Sequence, residues 1–302
     1  MAAFIFAEHA HVAAELVSCV NSQDERCVLV LIGSADNAFL AAGASEAVVL
    51  KGSSRRPEDY AKAIADMLKS EGARLFVVES TVRGRELAAS VSGYLGCAMH
   101  SDVATLGITA DAVSVTRNTY GGAAISHETS CGISVVTVTA GTFEARTLPP
   151  TTAVREATVQ VESRIRLVDE QPLVKGGVDL SAAERIVSVG LGLDKQEDLS
   201  IIEGLSQALN AEIGCTRDMA ENRGWIPKSQ YIGITGAIVK PSLYVAVGLS
   251  GAMQHVYGIR NAKVVVGINK DENAPIFRAA DYGIVGDLYE VVPQLTEAIA
   301  NR

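Results

Sequence analysis

Polar residues with possible chemical roles follow an apolar run near the C-terminal end of the chain. The stretch is LYVAVGLSGAMQHVYGI (243–259), in which the run leads through Gly-Leu-Ser-Gly to Gln254 and His255. A strand, a glycine-rich turn and a helix in this order direct backbone N–H groups at an anion, and Gly251 would let a phosphate approach closely. The position of Ser250 predicts the N-cap of the helix. A capped core helix without a ligand is the alternative for this stretch taken alone.

Other segments of the same region also place polar residues beside apolar runs. They are CTRDMAENRGW (215–225), QYIGITG (230–236), GINKDENAPIF (267–277) and ADYGIVGDLYEVVPQL (280–295). Ligands of open α/β sheets bind at the carboxyl ends of the strands, so we expect the polar side chains there to converge on one crevice. These side chains are Arg217, Thr235, Ser250, Gln254, His255, Asn269 and Asp287.

The N-terminal half alternates short apolar runs with helical patterns, which is typical of parallel βαβ units. The predicted strands are FIFA (4–7), CVLVLIG (27–33), AVVL (47–50) and RLFVVES (74–80). Their continuous apolar character indicates a sheet that is covered on both faces. After residue 100, turn residues separate several further strands, and we expect these to add antiparallel strands to the first sheet.

A second α/β pattern begins near ERIVSVGLGL and places a domain boundary close to residue 180. The predicted fold class is therefore α/β with two domains, an N-terminal α/β domain at 1–180 and a C-terminal domain at 181–302. Each is expected to be built on a mainly parallel sheet flanked by helices, and the C-terminal one to be Rossmann-like.

Composition narrows the classes of function. The chain has 302 residues, of which 48% are hydrophobic, and a net charge of -9, so no basic excess is present to neutralise a nucleic acid. No apolar run approaches the ~18 residues of a membrane span, and the start lacks the basic n-region of a secretory signal. The five cysteines form no C-x-x-C pair, which favours a reducing compartment and argues against a zinc site. We expect a cytoplasmic protein without a bound metal.

The C-terminal motifs resemble the FAD-binding domain of the electron-transfer flavoprotein alpha subunit. That family's pattern runs S-R, G-Q-T-G, G-I-S-G-A-x-Q-H, I-N-K-D-x-x-A-P-I-F and A-D-Y-G-I-V-x-D, and the match covers about residues 184–302 in the same order. STVRGRELAASVSGYLG and HSDV (100–103) are similar to the first domain of the alpha subunit.

The resemblance implies a redox electron carrier rather than a catalyst with its own substrate. Such a subunit holds FAD in a heterodimer with a beta subunit, which docks largely on the N-terminal domain. Its electron donors are flavin dehydrogenases, typically the acyl-CoA dehydrogenases of fatty acid beta-oxidation, and it passes the electrons to a downstream acceptor. The flavin carries out the redox chemistry, while the protein holds and tunes it.

Individual roles follow from the resemblance residue by residue. Arg217 resembles the arginine that lies over the flavin ring, where a permanent cation would stabilise a reduced flavin with negative charge. Thr235 resembles the hydroxyl near flavin N5, and His255 the histidine that faces the pyrimidine carbonyl. The alternatives are an ion pair of Arg217 with Asp218 or Glu221, a turn-stabilising Thr235 and a core histidine.

Further residues are similar to family positions that contact the pyrophosphate, ribitol or adenosine of FAD. Asp287 is one of them, and it could also be the N-cap of the final helix. The cofactor-binding residues that the resemblance implies are Thr216, Arg217, Ile232, Gly233, Ile234, Thr235, Ser250, Gly251, Ala252, Met253, Gln254, His255, Asn269, Asp287 and Leu288.

The chain departs from the family pattern at three positions. Leu191 stands where the family usually has an arginine near the cofactor phosphates, Ile234 replaces the glutamine of G-Q-T-G, and Ala237 replaces a lysine. We expect a changed FAD affinity or redox potential rather than loss of binding. A non-redox subunit that binds an adenine nucleotide is the alternative function. An NAD-dependent oxidoreductase is a remote third hypothesis, since GLGLDK (190–195) lacks the third glycine of a dinucleotide fingerprint.

Overall fold

The computed structural model describes residues 2–23, 25–109, 111–151, 153–161, 163, 165, 167–169, 171 and 178–301. The chain divides into an N-terminal unit, Met1–Glu170, and a C-terminal unit, Gln171–Arg302. The boundary predicted at residue 180 lies further along the chain than this division and stays a prediction. Each unit contains a parallel sheet with apolar layers on both faces, which confirms the predicted α/β class.

The N-terminal unit holds ten strands and four helices in its described part. The strands are β1 (Ala2–Phe6), β2 (Arg26–Ile32), β3 (Glu46–Lys51), β4 (Ala73–Glu79), β5 (Ala98–His100), β6 (Val103–Ile108), β7 (Ala112–Thr119), β8 (Ala124–Cys131), β9 (Ser134–Val138) and β10 (Val154–Thr158). The helices are α1 (Ala10–Asn21), α2 (Asn37–Leu40), α3 (Ala61–Ser70) and α4 (Val82–Leu95). Seven of the strands form one sheet in the order β10-β3-β2-β1-β4-β9-β5, and every pairing in it is parallel.

The apolar strands of this sheet are buried on both faces, as their continuous hydrophobic character predicts. Along β1, Ile5 packs into one layer with Leu16 of α1. Phe4 points to the other layer, which contains Ile64 of α3 and Leu87 of α4. Successive strand residues face opposite sides, so both faces of β1 need apolar side chains.

The prediction that the segment after residue 100 extends the first sheet with antiparallel strands is wrong. Strands β6, β7 and β8 pair with one another and form a separate three-stranded antiparallel sheet. Val113 and Val115 on one side of β7 pack into the layer beside α1, while Ser114 between them is exposed. The strand therefore lays one apolar face on the core, which an antiparallel sheet with its other face in water requires.

The C-terminal unit is a doubly wound sheet. Its strands are β11 (Arg185–Val189), β12 (Glu212–Cys215), β13 (Leu243–Val247), β14 (Val265–Asn269) and β15 (Tyr282–Val285), and its helices are α5 (Leu199–Leu209), α6 (Met253–Ile259) and α7 (Leu288–Ala300). All pairings are parallel, in the order β12-β11-β13-β14-β15. The chain leaves β11 toward β12 on one side and returns to β13 on the other, so the winding direction switches between β11 and β13.

Two apolar layers cover this sheet. Val187 and Val245 face the layer that contains Ile202 of α5 and Val292 of α7. Tyr244 faces the opposite layer together with other core residues, among them Ile259 of α6. Among the described residues, no helix has the length and apolar character needed to span a membrane. The cytoplasmic location stays a prediction.

Candidate functional site

A cavity of about 570 Å³ opens in the C-terminal unit where β11, β12, β13 and β14 end. Its wall includes residues that lie one or two positions after these strands, among them Leu191, Thr216 and Leu249. The switch between β11 and β13 lies at the same edge, and this is where doubly wound sheets bind their ligands. The cavity is therefore the candidate site.

Ten of the fifteen cofactor-binding residues predicted from the sequence line this cavity. They are Thr216, Arg217, Ile234, Thr235, Ser250, Gly251, Ala252, Gln254, His255 and Asn269. Polar residues at strand ends were expected to converge. The fold brings together side chains that lie up to 53 positions apart in the sequence, from Thr216 to Asn269.

The backbones that follow β11 and β13 pass each other at the floor of the cavity. The N–H of Gly192 donates to the carbonyl of Gly248 over 2.8 Å. A Cβ on Gly192 would lie 2.7 Å from the Cα of Gly248, and Gly248 itself has a φ of +57°. Both positions therefore require glycine, because a side chain would separate the two backbones.

The turn before α6 differs from its prediction. Helix α6 begins at Met253, with Ala252 in the N-cap position and no side-chain cap, so the prediction that Ser250 is the N-cap is wrong. The carbonyl of Ser250 instead accepts a hydrogen bond from the N–H of Ile276 at 3.0 Å. Gly251 has a φ of +78°, and a Cβ there would lie 2.3 Å from the Ile276 nitrogen. Contact with the 275–278 turn therefore holds residues 250–251 outside the helix and requires the glycine.

His255 is buried, and its two ring nitrogens have different surroundings. Nε2 lies 2.7 Å from the hydroxyl of Tyr244, while Nδ1 is buried and has no hydrogen-bond partner among the described residues. Burial lowers the pKa of the imidazole to about 4. The backbone of Ile232 acts in the opposite direction and raises the pKa, although Nδ1 forms no hydrogen bond within ordinary limits of distance and angle. The ring is therefore neutral at neutral pH.

The residues after β12 contribute one buried hydroxyl and one cation. The Oγ1 atom of Thr216 is buried without a hydrogen-bond partner in the described part of the chain. The side chain of Arg217 is 63% exposed, and its Nε donates to Glu221 over 2.6 Å. Arg217 thus lines the cavity and also forms the ion pair that was the alternative reading of this position.

The loop with Thr235 is fastened to α6 and to its own turn. The Ile234 N–H donates to the carbonyl of Gln254 over 2.9 Å. The Thr235 hydroxyl lies 3.1 Å from the hydroxyl of Tyr231, so the threonine also stabilises its turn. The apolar side chain of Ile234 is 43% exposed at the wall.

Asn269 joins the two loops that follow β13 and β14. Its Nδ2 donates to the Leu249 carbonyl over 2.9 Å, and its Oδ1 accepts from the Asp271 N–H over 3.0 Å. Each end of the amide therefore forms one hydrogen bond inside the protein, which fixes the shape of the wall at this point.

Five predicted residues lie outside the wall of the cavity. They are Ile232, Gly233, Met253, Asp287 and Leu288. Ile232 is fully buried in the core, and half of Met253 is exposed to solvent. Asp287 accepts a hydrogen bond from the Tyr289 N–H at 2.9 Å, which confirms its N-cap role for α7. Contact of these residues with a cofactor stays a prediction.

Several residues of the wall were not singled out from the sequence as site residues. They are Gly192, Asp218, Tyr231, Gly248, Leu249, Asp271, Ala274 and Pro275. Gly248 and Leu249 directly follow β13, and Asp218 and Asp271 lie within three residues of a strand end. The strand-end rule applied to every residue type would have found these four. Tyr231, Ala274 and Pro275 carry no comparable signal.

The corresponding edge of the N-terminal sheet is occupied by a side chain of the protein. There the switch lies between β1 and β4, and the carboxylate of Glu79 is almost fully buried beside it. Glu79 accepts from the backbone N–H groups of Glu8 and His9 at 2.7 and 3.0 Å and contacts Nδ1 of His9 at 2.6 Å. These donors are therefore already used by an internal anion. The part of the chain that the structure describes holds no group of three or more metal-ligating side chains.

Comparison with known proteins gives two family matches and a set of relatives. A model described as the electron transfer flavoprotein domain matches residues 8–165, and one described as the electron transfer flavoprotein FAD-binding domain matches residues 179–260. Protein FixB of Salmonella typhimurium (strain LT2) is 37% identical over 295 residues, which cover 95% of this chain and 94% of that protein. YdiR of Escherichia coli K12, by its name a candidate electron transfer flavoprotein subunit, is 38% identical over 82% of this chain and 80% of its own.

Proposed function

The chain belongs to the electron-transfer flavoprotein alpha-subunit family, and from this premise we propose that it carries electrons as the FAD-binding subunit of a heterodimer. Flavin dehydrogenases of the acyl-CoA dehydrogenase type are the proposed donors, and a beta subunit is the proposed partner. The observation that carries the proposal is the cavity of about 570 Å³ at the switch point of the sheet, which lies largely within the matched FAD-binding domain.

The polar atoms of the cavity fit a large cofactor with hydrogen-bonding groups. Thr216 Oγ1 and His255 Nδ1 are buried and lack partners among the described residues. Buried polar groups without a partner cost about 1–3 kcal/mol each, so a ligand that pairs with them is favoured. The exposed side chains of Ser250 and Gln254 add further polar groups on the wall.

Each part of the wall has a proposed task. Arg217 places a permanent positive charge at the mouth, where it would stabilise negative charge on a bound ring. Thr235 and His255 would hold the polar edge of the ring, and Ser250 and Asn269 the remainder of the cofactor. A bound flavin supplies the reversible uptake and release of electrons, and the protein sets its position and surroundings.

The two apolar replacements lie at the wall of this cavity. Leu191 is 49% exposed and Ile234 is 43% exposed, and neither can donate a hydrogen bond to a phosphate or to a ring. We propose that the chain holds FAD with fewer charge-assisted hydrogen bonds than the family pattern provides. The expected result is weaker binding or a shifted potential, with binding retained.

Absorption spectroscopy of the purified chain, alone and with its co-expressed beta subunit, tests the proposal. We expect flavin bands, FAD as the cofactor released by acid and identified by chromatography, and bleaching of those bands by an acyl-CoA dehydrogenase with its substrate. Failure to take up FAD even with the beta subunit would refute the flavin carrier. Bound FAD that no dehydrogenase reduces would refute only the proposed donors.

A non-redox adenine-nucleotide-binding subunit is the second candidate, and the apolar wall at Leu191 and Ile234 favours it. Removal of polar groups near a ring would weaken the binding of a flavin more than the binding of a mononucleotide, because the mononucleotide could still contact Ser250 and Asn269. The same chromatography separates the two functions, because AMP or ADP in place of FAD would support the second one.

A further inference from the structure

Tyr244 lies directly beneath the candidate site without contacting the cavity. It is the second residue of β13, its side chain is fully buried, and it is absent from the cavity wall. Its hydroxyl lies 2.7 Å from Nε2 of His255, which does line the cavity. The residue therefore acts on the site only through the imidazole.

The meeting of these two side chains follows from the local fold. Tyr244 points to the layer of the sheet that contains Ile259, the last residue of α6. The chain turns back after β13, so the first turn of α6 brings His255 over the phenol ring. The two ring centroids are 6.2 Å apart with an angle of 53° between the planes.

The hydrogen bond between them can be formed in two ways. In one, the phenol donates to Nε2, and the single proton of the neutral imidazole is on Nδ1. In the other, Nε2–H donates to the phenol oxygen, and Nδ1 is an acceptor. Burial raises the pKa of the Tyr244 phenol far above neutral pH, so its proton is present in both arrangements.

The two arrangements differ in the number of buried polar groups that lack a hydrogen-bond partner. With Nε2–H as the donor, the phenol proton has no acceptor among the described residues, because the nearby Ser188 Oγ forms no hydrogen bond within ordinary limits. Nδ1 then remains unsatisfied as well, so two buried groups lack partners. With the phenol as the donor, Nδ1–H is the only group of the pair without a partner among the described residues, and it belongs to a ring at the cavity wall. Fewer buried unsatisfied groups favour this second arrangement.

We propose that Tyr244 is a positioning residue that fixes His255 at the cavity wall as a neutral imidazole with its proton on Nδ1, the ring nitrogen that has no partner among the described residues and that would pair with a carbonyl-type acceptor of a bound ligand. The tautomer is a property of the chain itself. The identity of the ligand, a flavin ring with carbonyl oxygens, rests on the proposed function. A neutral donor suits a neutral carbonyl oxygen and adds no positive charge that would compete with Arg217.

The first test measures the tautomer directly in the ligand-free full-length chain. Long-range ¹⁵N–¹H NMR of ¹⁵N-histidine-labelled protein at pH 7.5 distinguishes protonated from unprotonated ring nitrogens, and loss of one signal set in His255→Gln assigns His255 among the five histidines. We expect a protonated Nδ1 and an unprotonated Nε2. The reverse tautomer, or a charged ring, overturns the proposal.

The second test removes only the phenol oxygen. In Tyr244→Phe we expect His255 to lose its single tautomer and FAD to bind about 3- to 10-fold more weakly, in spectrophotometric titration with the beta subunit present. Tyr60→Phe is the matched control, because Tyr60 is also fully buried and donates its hydroxyl proton to a backbone carbonyl, that of Ser54, but in the N-terminal unit. That variant should leave both readouts unchanged.

The outcomes separate this inference from the proposed function. An unchanged tautomer and unchanged FAD affinity in Tyr244→Phe overturn the positioning role. If Tyr244→Phe does not fold, the NMR spectrum of the unmodified chain still decides between the two tautomers. If the unmodified chain with its beta subunit binds no FAD, the proposed function fails, while the tautomer measured without ligand still supports or overturns the role of Tyr244.

Discussion

The burial of His255 should make the stability of the C-terminal unit depend on pH. Burial lowers the pKa of this imidazole from 6.5 to about 4. Above pH 6.5 the ring is neutral in both the folded and the unfolded chain, so no penalty arises. As the pH falls from 6.5 toward 4, the unfolded chain binds a proton that the folded chain does not. The free energy of unfolding therefore decreases across this window.

The size of the effect follows from the two pKa values. At pH 5 the proton stabilises the unfolded state by about 2 kcal/mol, and below pH 4 the loss approaches about 3 kcal/mol. In His255→Gln the titrating group is gone, so this part of the pH dependence should vanish. Asp218 and Asp271 share the cavity wall and are present in both proteins, so any titration of theirs cancels in the difference.

Urea unfolding at pH 7 and pH 5, followed by tryptophan fluorescence, measures this difference. Trp225 is the only tryptophan of the chain and lies in the C-terminal unit, so its signal follows that unit. Between pH 7 and pH 5 the unmodified chain should lose about 2 kcal/mol more stability than His255→Gln. His127→Gln, the same change at an exposed histidine, should behave as the unmodified chain does. Equal losses in the unmodified chain and His255→Gln would refute the buried, neutral imidazole.

Three further outcomes are expected. Ile234→Gln should restore one hydrogen bond at the wall and tighten FAD about fivefold in a spectrophotometric titration, and an unchanged affinity and potential would contradict its proposed effect. Gly251→Ala should destabilise the C-terminal unit by about 2–4 kcal/mol in urea, because its Cβ would meet the Ile276 backbone and its φ is positive; a loss below ~1 kcal/mol would contradict this packing. A thiol reagent at pH 8 should react fastest at Cys131, which is exposed, and slowest at Cys27 and Cys215, because burial raises the pKa of each thiol to about 12; mass mapping of the labelled chain checks this order.

The location of the site could be predicted because the ends of strands can be recognised in a sequence as the ends of apolar runs. Thr216 and Asn269 lie at the ends of apolar runs, and parallel strands bring such ends to one edge of the sheet whatever their distance along the chain. The two glycines required at the floor of the cavity, Gly192 and Gly248, are harder to recognise in the sequence. They arise from the approach of two backbones, and only the folded chain shows which glycines meet.

The start of α6 could not be predicted because a tertiary contact overrides a local preference. A serine shortly before an apolar-periodic run favours an N-cap, but the Ile276 N–H donates to the carbonyl of Ser250 and holds this turn outside the helix. The separate antiparallel sheet was missed for a related reason. Strand patterns indicate which residues are extended. Which strands pair with one another depends on how their apolar faces pack against the core, and the pattern does not show this.

The role of Tyr244 could not be predicted from the sequence for a different reason. In LYVAVG (243–248) it reads as one more apolar strand residue, and most tyrosines in such runs contribute only packing. Its role depends on His255 folding back over it from the next helix, with the hydroxyl and Nε2 2.7 Å apart. One member of the pair lies on a strand and the other on a helix, so no single periodicity relates the two positions.

The charge at the cavity wall comes from few groups, and this limits how a ligand can be held. Within the described residues, Arg217 is the only lysine or arginine of the wall, and Asp218 and Asp271 carry negative charge there. His255 adds none at neutral pH, because its pKa is about 4. The ion pair with Glu221 further reduces the charge that Arg217 offers. Since net positive charge is scarce, hydrogen-bond geometry must select the ligand, and the tautomer fixed in the core therefore matters more than the charge of the ring.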